Sequence, residues 1–162
     1  MITEYIVSNK RGSFGADTVC SRREEEVQDC GDEQPAGRRR LKITLYSFGF
    51  KHGYPEADMV WDVRFLPNPY WVRELKDSTG REPVTAAYVL ANTVGREFLS
   101  RLESILLFLV EQYRAGGRPD LRLAIGCTGG RHRSVAVTEH LRRFFATLPV
   151  DLHVFHRDID RT

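Results

Sequence analysis

Residues 123–134 read LAIGCTGGRHRS, and the reading of this stretch decides the fold. Leu123, Ala124 and Ile125 form an apolar run that predicts a buried strand. The run stops at Gly126, Cys127, Thr128, Gly129 and Gly130. A helical pattern then starts near Arg131 to Ser134 and continues through Val135, Val137, Thr138, Leu141, Phe144 and Phe145. Strand, glycine-rich turn and helix start together make an anion cradle. Glycine lets successive N–H groups turn toward one point, and the helix N-terminus adds a partial positive charge there. Arg131, His132 and Arg133 bring side-chain donors to the same place. The chemistry indicated is the binding of a phosphate or another oxyanion, with Thr128, Gly129, Gly130 and Ser134 in the turn itself.

Cys127 and Arg133 also stand in C-x5-R spacing with Ser134 following, as in cysteine-dependent phosphatases. In an Arg-rich chain that spacing alone is a weak signal, and a plain structural turn would carry it too. The strand before it and the helix after it favour an anion site. The phosphatase alternative makes Cys127 the nucleophile and has Arg133 hold the phosphoryl group. Asp62 or Asp58 would protonate the leaving group.

Outward from this stretch, β-favouring runs predict strands at residues 41–48, 58–65, 121–127 and 151–156. Apolar residues at helical spacing predict helices at 82–91, 97–114 and 132–147. Strands alternating with helices imply an α/β fold. The expected form is three-layered, with a mostly parallel sheet, helices on both faces, and the anion loop at a strand-to-helix turn. Ligands of such sheets bind beyond the carboxyl ends of the strands. Parallel strands would therefore bring Lys51, His52, Arg64 and Asn68 to the rim that carries the turn. Arg133 is the first choice of anion ligand, because a guanidinium grips phosphate with two hydrogen bonds. Its replacement by Ala is expected to abolish binding and leave the fold intact. Asp62 and Asn68 could read sugar hydroxyls, or Asp62 could pair with Arg64. Trp61 and Trp71 are read as packing residues rather than as base-stacking platforms. The loop at 66–80 is long enough to suggest a functional role. Residues 105–110 are apolar on all sides, which implies central burial or contact with a second subunit.

Several blocks in order resemble the C-terminal domain of the RapZ family of bacterial RNase adaptors, also described as nucleotide-binding proteins. They are GCTGGRHRSV at 126–135, SFGFKHG at 47–53, Ala57-Asp58, DVRFLPNP at 62–69, Thr79-Gly80 and His156-Arg157. The resemblance covers about residues 41–160. It implies an adaptor and sensor domain without catalysis of its own. Such a domain recognises glucosamine-6-phosphate, binds small RNA and presents it to an endoribonuclease, and assembles as a homo-oligomer. His156-Arg157 falls at the family's terminal HR pair, and Arg157 is a candidate RNA contact. Full-length members carry an N-terminal P-loop NTPase domain. This chain has no G-x-x-x-x-G-K-[ST] motif, and residues 1–40 are too short to hold such a domain. A separate NTPase protein is therefore a possible partner, and a nucleotide-binding domain is a further alternative.

The 162 residues fit one domain at 41–162, preceded by a flexible extension at 1–40. Net charge is −1 over 1–40 and +3 over 41–162, which excludes a strong bulk attraction for nucleic acid. Arg38, Arg39 and Arg40 form a local basic run that could contact RNA phosphates. Residues 2–7 are apolar enough for an edge strand. Three cysteines do not suggest a disulfide framework, and Cys20 and Cys30 match no zinc spacing. Nothing in the sequence calls for a metal or cofactor. No stretch reads as a membrane span or signal peptide, so the expectation is a cytoplasmic protein.

Overall fold

The computed structural model describes residues 40–161. Expectations placed on residues 1–39 lie outside the described residues. They include the flexible extension, the strand at 2–7, Cys20, Cys30, Arg38 and Arg39. Four strands, β1 (Leu41–Gly49), β2 (Met59–Asp62), β3 (Asp120–Cys127) and β4 (Val150–His156), form one sheet. All neighbours are parallel, in the order β2-β3-β1-β4. Three helices accompany them: α1 (Pro83–Leu90), α2 (Thr93–Ala115) and α3 (Arg133–Phe145).

Alternation along β1 and β3 creates the main core. Leu41, Ile43 and Leu45 share a face with Leu121, Leu123 and Ile125. Against that face pack Leu99, Leu102, Leu106 and Val110 of α2, which recur at helical spacing, and Val137, Leu141 and Phe145 of α3. Each such side chain withdrawn from water contributes about 2 kcal/mol.

The α/β class and the parallel sheet agree with the sequence; the layering is narrower than expected. Among the described residues α2 and α3 pack on this one face, and α1 packs against those two helices on the same side. The opposite face has only a small cluster of Tyr46, Phe48 and Ala124, backed by Phe50 and Ala57. Lys42 and Arg122 are exposed on that side, so its apolar strip is too short to seat a helix. Phe48 is instead covered by the Phe50 ring and by the Arg157 guanidinium.

Two element boundaries differ for local reasons. β2 ends at Asp62, because the Asp62 carboxylate accepts the Arg64 N–H at 2.9 Å and turns the chain. α2 begins at Thr93, four residues before the predicted start, because the Asn92 side chain caps it by accepting the Gly95 N–H at 2.9 Å. Residues 105–110 divide between two environments. Leu106 and Val110 are buried, while Ile105, Leu107 and Phe108 are exposed. Among the described residues no helix is long and apolar enough to cross a membrane.

Candidate functional site

Parallel pairing puts the carboxyl ends of all four strands on one rim. β3 finishes at Cys127 opposite Gly49, and the Lys51 N–H donates to the Thr128 carbonyl at 3.1 Å. That bond fastens the loop after β1 to the turn after β3. Gly130 has a φ of 77°, and a Cβ there would stand 2.7 Å from the Gly49 nitrogen and 2.9 Å from the Asp158 Cβ. Only glycine fits both the angle and the space. The Gly130 N–H donates to the Cys127 sulfur at 3.3 Å, and the Ser134 hydroxyl lies 3.2 Å from the same sulfur. The N–H groups of Thr128, Gly129, Arg131 and His132 find no acceptor among the described residues. His132 gives α3 no side-chain cap. Main-chain donors left open beside a helix N-terminus are groups that can hold an anion.

Arg131, His132 and Arg133 hold backbone carbonyls. Arg131 donates to Ser78 O at 3.0 Å and to Asp77 O at 2.7 Å. The His132 Nε2–H donates to Lys76 O at 3.1 Å, since a carbonyl can only accept. Burial pushes the His132 imidazole below its ordinary pKa, against the pull of that carbonyl. Arg133 donates to Arg64 O at 2.7 Å, Leu66 O at 3.4 Å and the Thr128 hydroxyl at 3.3 Å. Its Nε, buried, makes no hydrogen bond. The three side chains thus fasten the loop at 64–78 across the turn. These contacts bear on the expectation that the fold stays intact without Arg133, because they make Arg133 part of what holds the loop.

A cavity of about 720 Å³ lies between turn and loop. Eight sequence candidates line it: Cys127, Thr128, Gly129, Arg131, His132, Arg133, Lys51 and Asn68. Lys51 approaches the turn closely, its Cε 3.7 Å from where a Gly129 Cβ would stand. Gly130 shapes the turn from behind, and Ser134 is fully buried under Cys127. His52 and Arg64 are not among the lining residues. Arg64 grips Asp62 with two nitrogens, and this contact holds the Asp62 carboxyl below its usual range. Asp58 accepts the Arg122 N–H at 2.7 Å and so fixes β2 to β3. Arg157 spends its donors on Gly53 O at 2.8 Å and on the buried Asp158 carboxylate at 2.7 Å. Arg40 precedes β1, at the amino end of the strand whose carboxyl end reaches this rim, and lines a second cavity of about 710 Å³ with Arg114 and Arg118.

Among the described residues, five more line the cavity that the sequence does not assign to the site: Tyr70, Trp71, Lys76, Asp77 and Arg161. Asn68 caps the 3-10 turn Pro69–Trp71, which turns Trp71 outward to 80% exposure. Trp71 is therefore no packing residue, whereas Trp61 packs edge-on near Phe98. The Lys76 ammonium sits 5.0 Å above the Tyr70 ring. The signal available for these residues was the length of the loop that carries four of them. Among the described residues no group of three or more His, Cys, Asp or Glu is placed to hold a metal ion.

Residues 41–160 match the family model of the RapZ C-terminal domain. A nucleotide-binding protein of Caldicellulosiruptor bescii is 46% identical over 129 residues, covering 79% of this chain and 44% of that protein. One from Geotalea uraniireducens is 49% identical over 126 residues, covering 77% and 44%. One from Clostridium botulinum is 42% identical over 137 residues, covering 84% and 47%. The chain thus spans less than half the length of these curated relatives.

Proposed function

The chain belongs to the RapZ C-terminal domain family, and from that premise we propose that it is a non-catalytic sensor and adaptor domain. Its cavity takes a phosphorylated small molecule of the amino-sugar phosphate type. A separate surface engages RNA or an endoribonuclease. The observation that carries the reading is the open set of main-chain donors at Thr128, Gly129, Arg131 and His132, with Lys51 beside them. The cavity lining supports it. Among the described residues, Lys51, Lys76, Arg131, Arg133 and Arg161 line it with a single acidic side chain, Asp77. Asp77 is a fitting acceptor for a ligand's hydroxyl or ammonium group.

Calorimetry with glucosamine-6-phosphate, its unphosphorylated sugar and a nucleotide series tests this. Binding that requires the phosphate is expected, and binding of none of them overturns the reading. A preference for nucleotides favours the second reading, a nucleotide site. That alternative is supported by the relatives' name and by exposed Trp71, a ready stacking surface. RNA binding is tested by gel shift across salt. Affinity should fall steeply as salt rises, since counterion release drives phosphate contacts.

A further inference from the structure

Residues 157–161 bring one cation to the cavity that lies just past the family match, which ends at 160. Its setting is the fully buried Asp158, whose two oxygens are unequally served. Oδ2 accepts the Gly49 N–H at 2.8 Å and is gripped by Arg157 at 2.7 Å. Oδ1 makes no hydrogen bond among the described residues and faces Arg161 Nε at 3.4 Å. One carboxylate therefore stands between two guanidiniums, and the group keeps a surplus positive charge. The Arg161 side chain is 59% exposed and lines the cavity. Asp158 backs directly on the turn, its Cβ close against Gly130.

The other two cavity arginines are committed to loop carbonyls, as described above. Arg161 is not: its one side-chain polar contact among the described residues is long, and a phosphate offers a guanidinium two short charged bonds instead. Building on the cavity reading, we propose that Arg161 is a further anion ligand of this site. It exchanges its loose contact with Asp158 for the phosphate of a bound ligand, and binding thereby fixes residues 157–161. Arg157 stays on Asp158 throughout, so the buried carboxylate is never left unpaired.

The test titrates glucosamine-6-phosphate and inorganic phosphate into the full chain, R161A and R161K, with R118A as a control of equal charge. Arg118 lines the second cavity and lies over the Tyr113 ring. R161A should weaken both probes about tenfold or more, as expected for a lost charged hydrogen bond. R161K should recover part of the loss, and R118A should change nothing. Ligand should also slow amide exchange at Asp160 and Arg161 in the parent chain but not in R161A. Equal affinity in R161A, or a matching loss in R118A, overturns the role of Arg161 and leaves the cavity reading standing. A parent chain that binds neither probe overturns both.

Discussion

Arg133 Nη1 lies 2.7 Å from the carbonyl oxygen of Arg64, so the first residue of α3 holds the chain that leaves β2. Arg133 is almost fully buried, and its guanidinium bonds are charge-assisted. Arg133→Ala is accordingly expected to lower stability by about 2 kcal/mol, in addition to any loss of ligand. Arg133→Lys keeps one donor and should recover part of it. Urea denaturation checks this: an unchanged midpoint in the Ala variant would remove the structural role.

Burial lowers the pKa of both His132 and His156. His156 is further enclosed by Ser47 at 2.7 Å and Glu139 at 3.0 Å. A folded-state imidazole held below its ordinary 6.5 resists protonation, while the unfolded chain does not. Stability is then full above pH 6.5 and declines as pH falls below it, until the folded histidines also titrate. Glu139, Asp62 and Asp158, whose pKa values are lowered as well, add their losses only in the carboxylate range. The urea midpoint should be lower at pH 5.5 than at pH 7.5. A flat or rising midpoint across that interval contradicts the assignment.

Cys127 receives the Gly130 N–H, a contact that suits a thiolate nucleophile. Both carboxylates first considered as its acid partner are committed, Asp62 to Arg64 and Asp58 to the Arg122 N–H. Cys127→Ser should keep ligand affinity within about tenfold, a cost near 1.4 kcal/mol or less. No phosphoester turnover above background is expected from the parent chain. Rapid-quench mass spectrometry that finds a phosphocysteine would promote the phosphatase alternative.

Ile105, Leu107 and Phe108 expose apolar surface on α2, and Val94 at the start of the same helix is 53% exposed. Surface of this kind is the expected seat of self-association. Light scattering at high micromolar concentration should give a mass above the monomer, and Phe108→Glu should return it to the monomer. A monomer mass for the parent chain rejects the interface.

Local signals made much of this protein legible. The glycines after Ile125, the strand before them and the helix after them are contiguous, and each follows from its neighbours. The spacing of Leu99, Leu102 and Leu106 likewise announced the buried side of α2. What stayed hidden was the partnership of side chains with main chain. A carbonyl such as Ser78 O or Lys76 O leaves no mark in a sequence, so Arg131 and His132 read as ligands when they are also fastenings. Trp71 looked like core because aromatic residues usually are. Its outward turn depends on Asn68 and Pro69 shaping the chain just before it. Arg157 was read from its position in a motif, which says nothing of the Asp158 carboxylate beneath it.

The fastening of Asp77, Ser78, Lys76, Arg64 and Leu66 by three consecutive residues has a dynamic consequence. A loop of this length would ordinarily open by itself, faster than the sheet it borders. Here it cannot lift without releasing the first residues of α3, and the start of α3 cannot fray without releasing the loop. The two rims of the cavity therefore share one opening event, and whatever steadies one of them slows the breathing of the other.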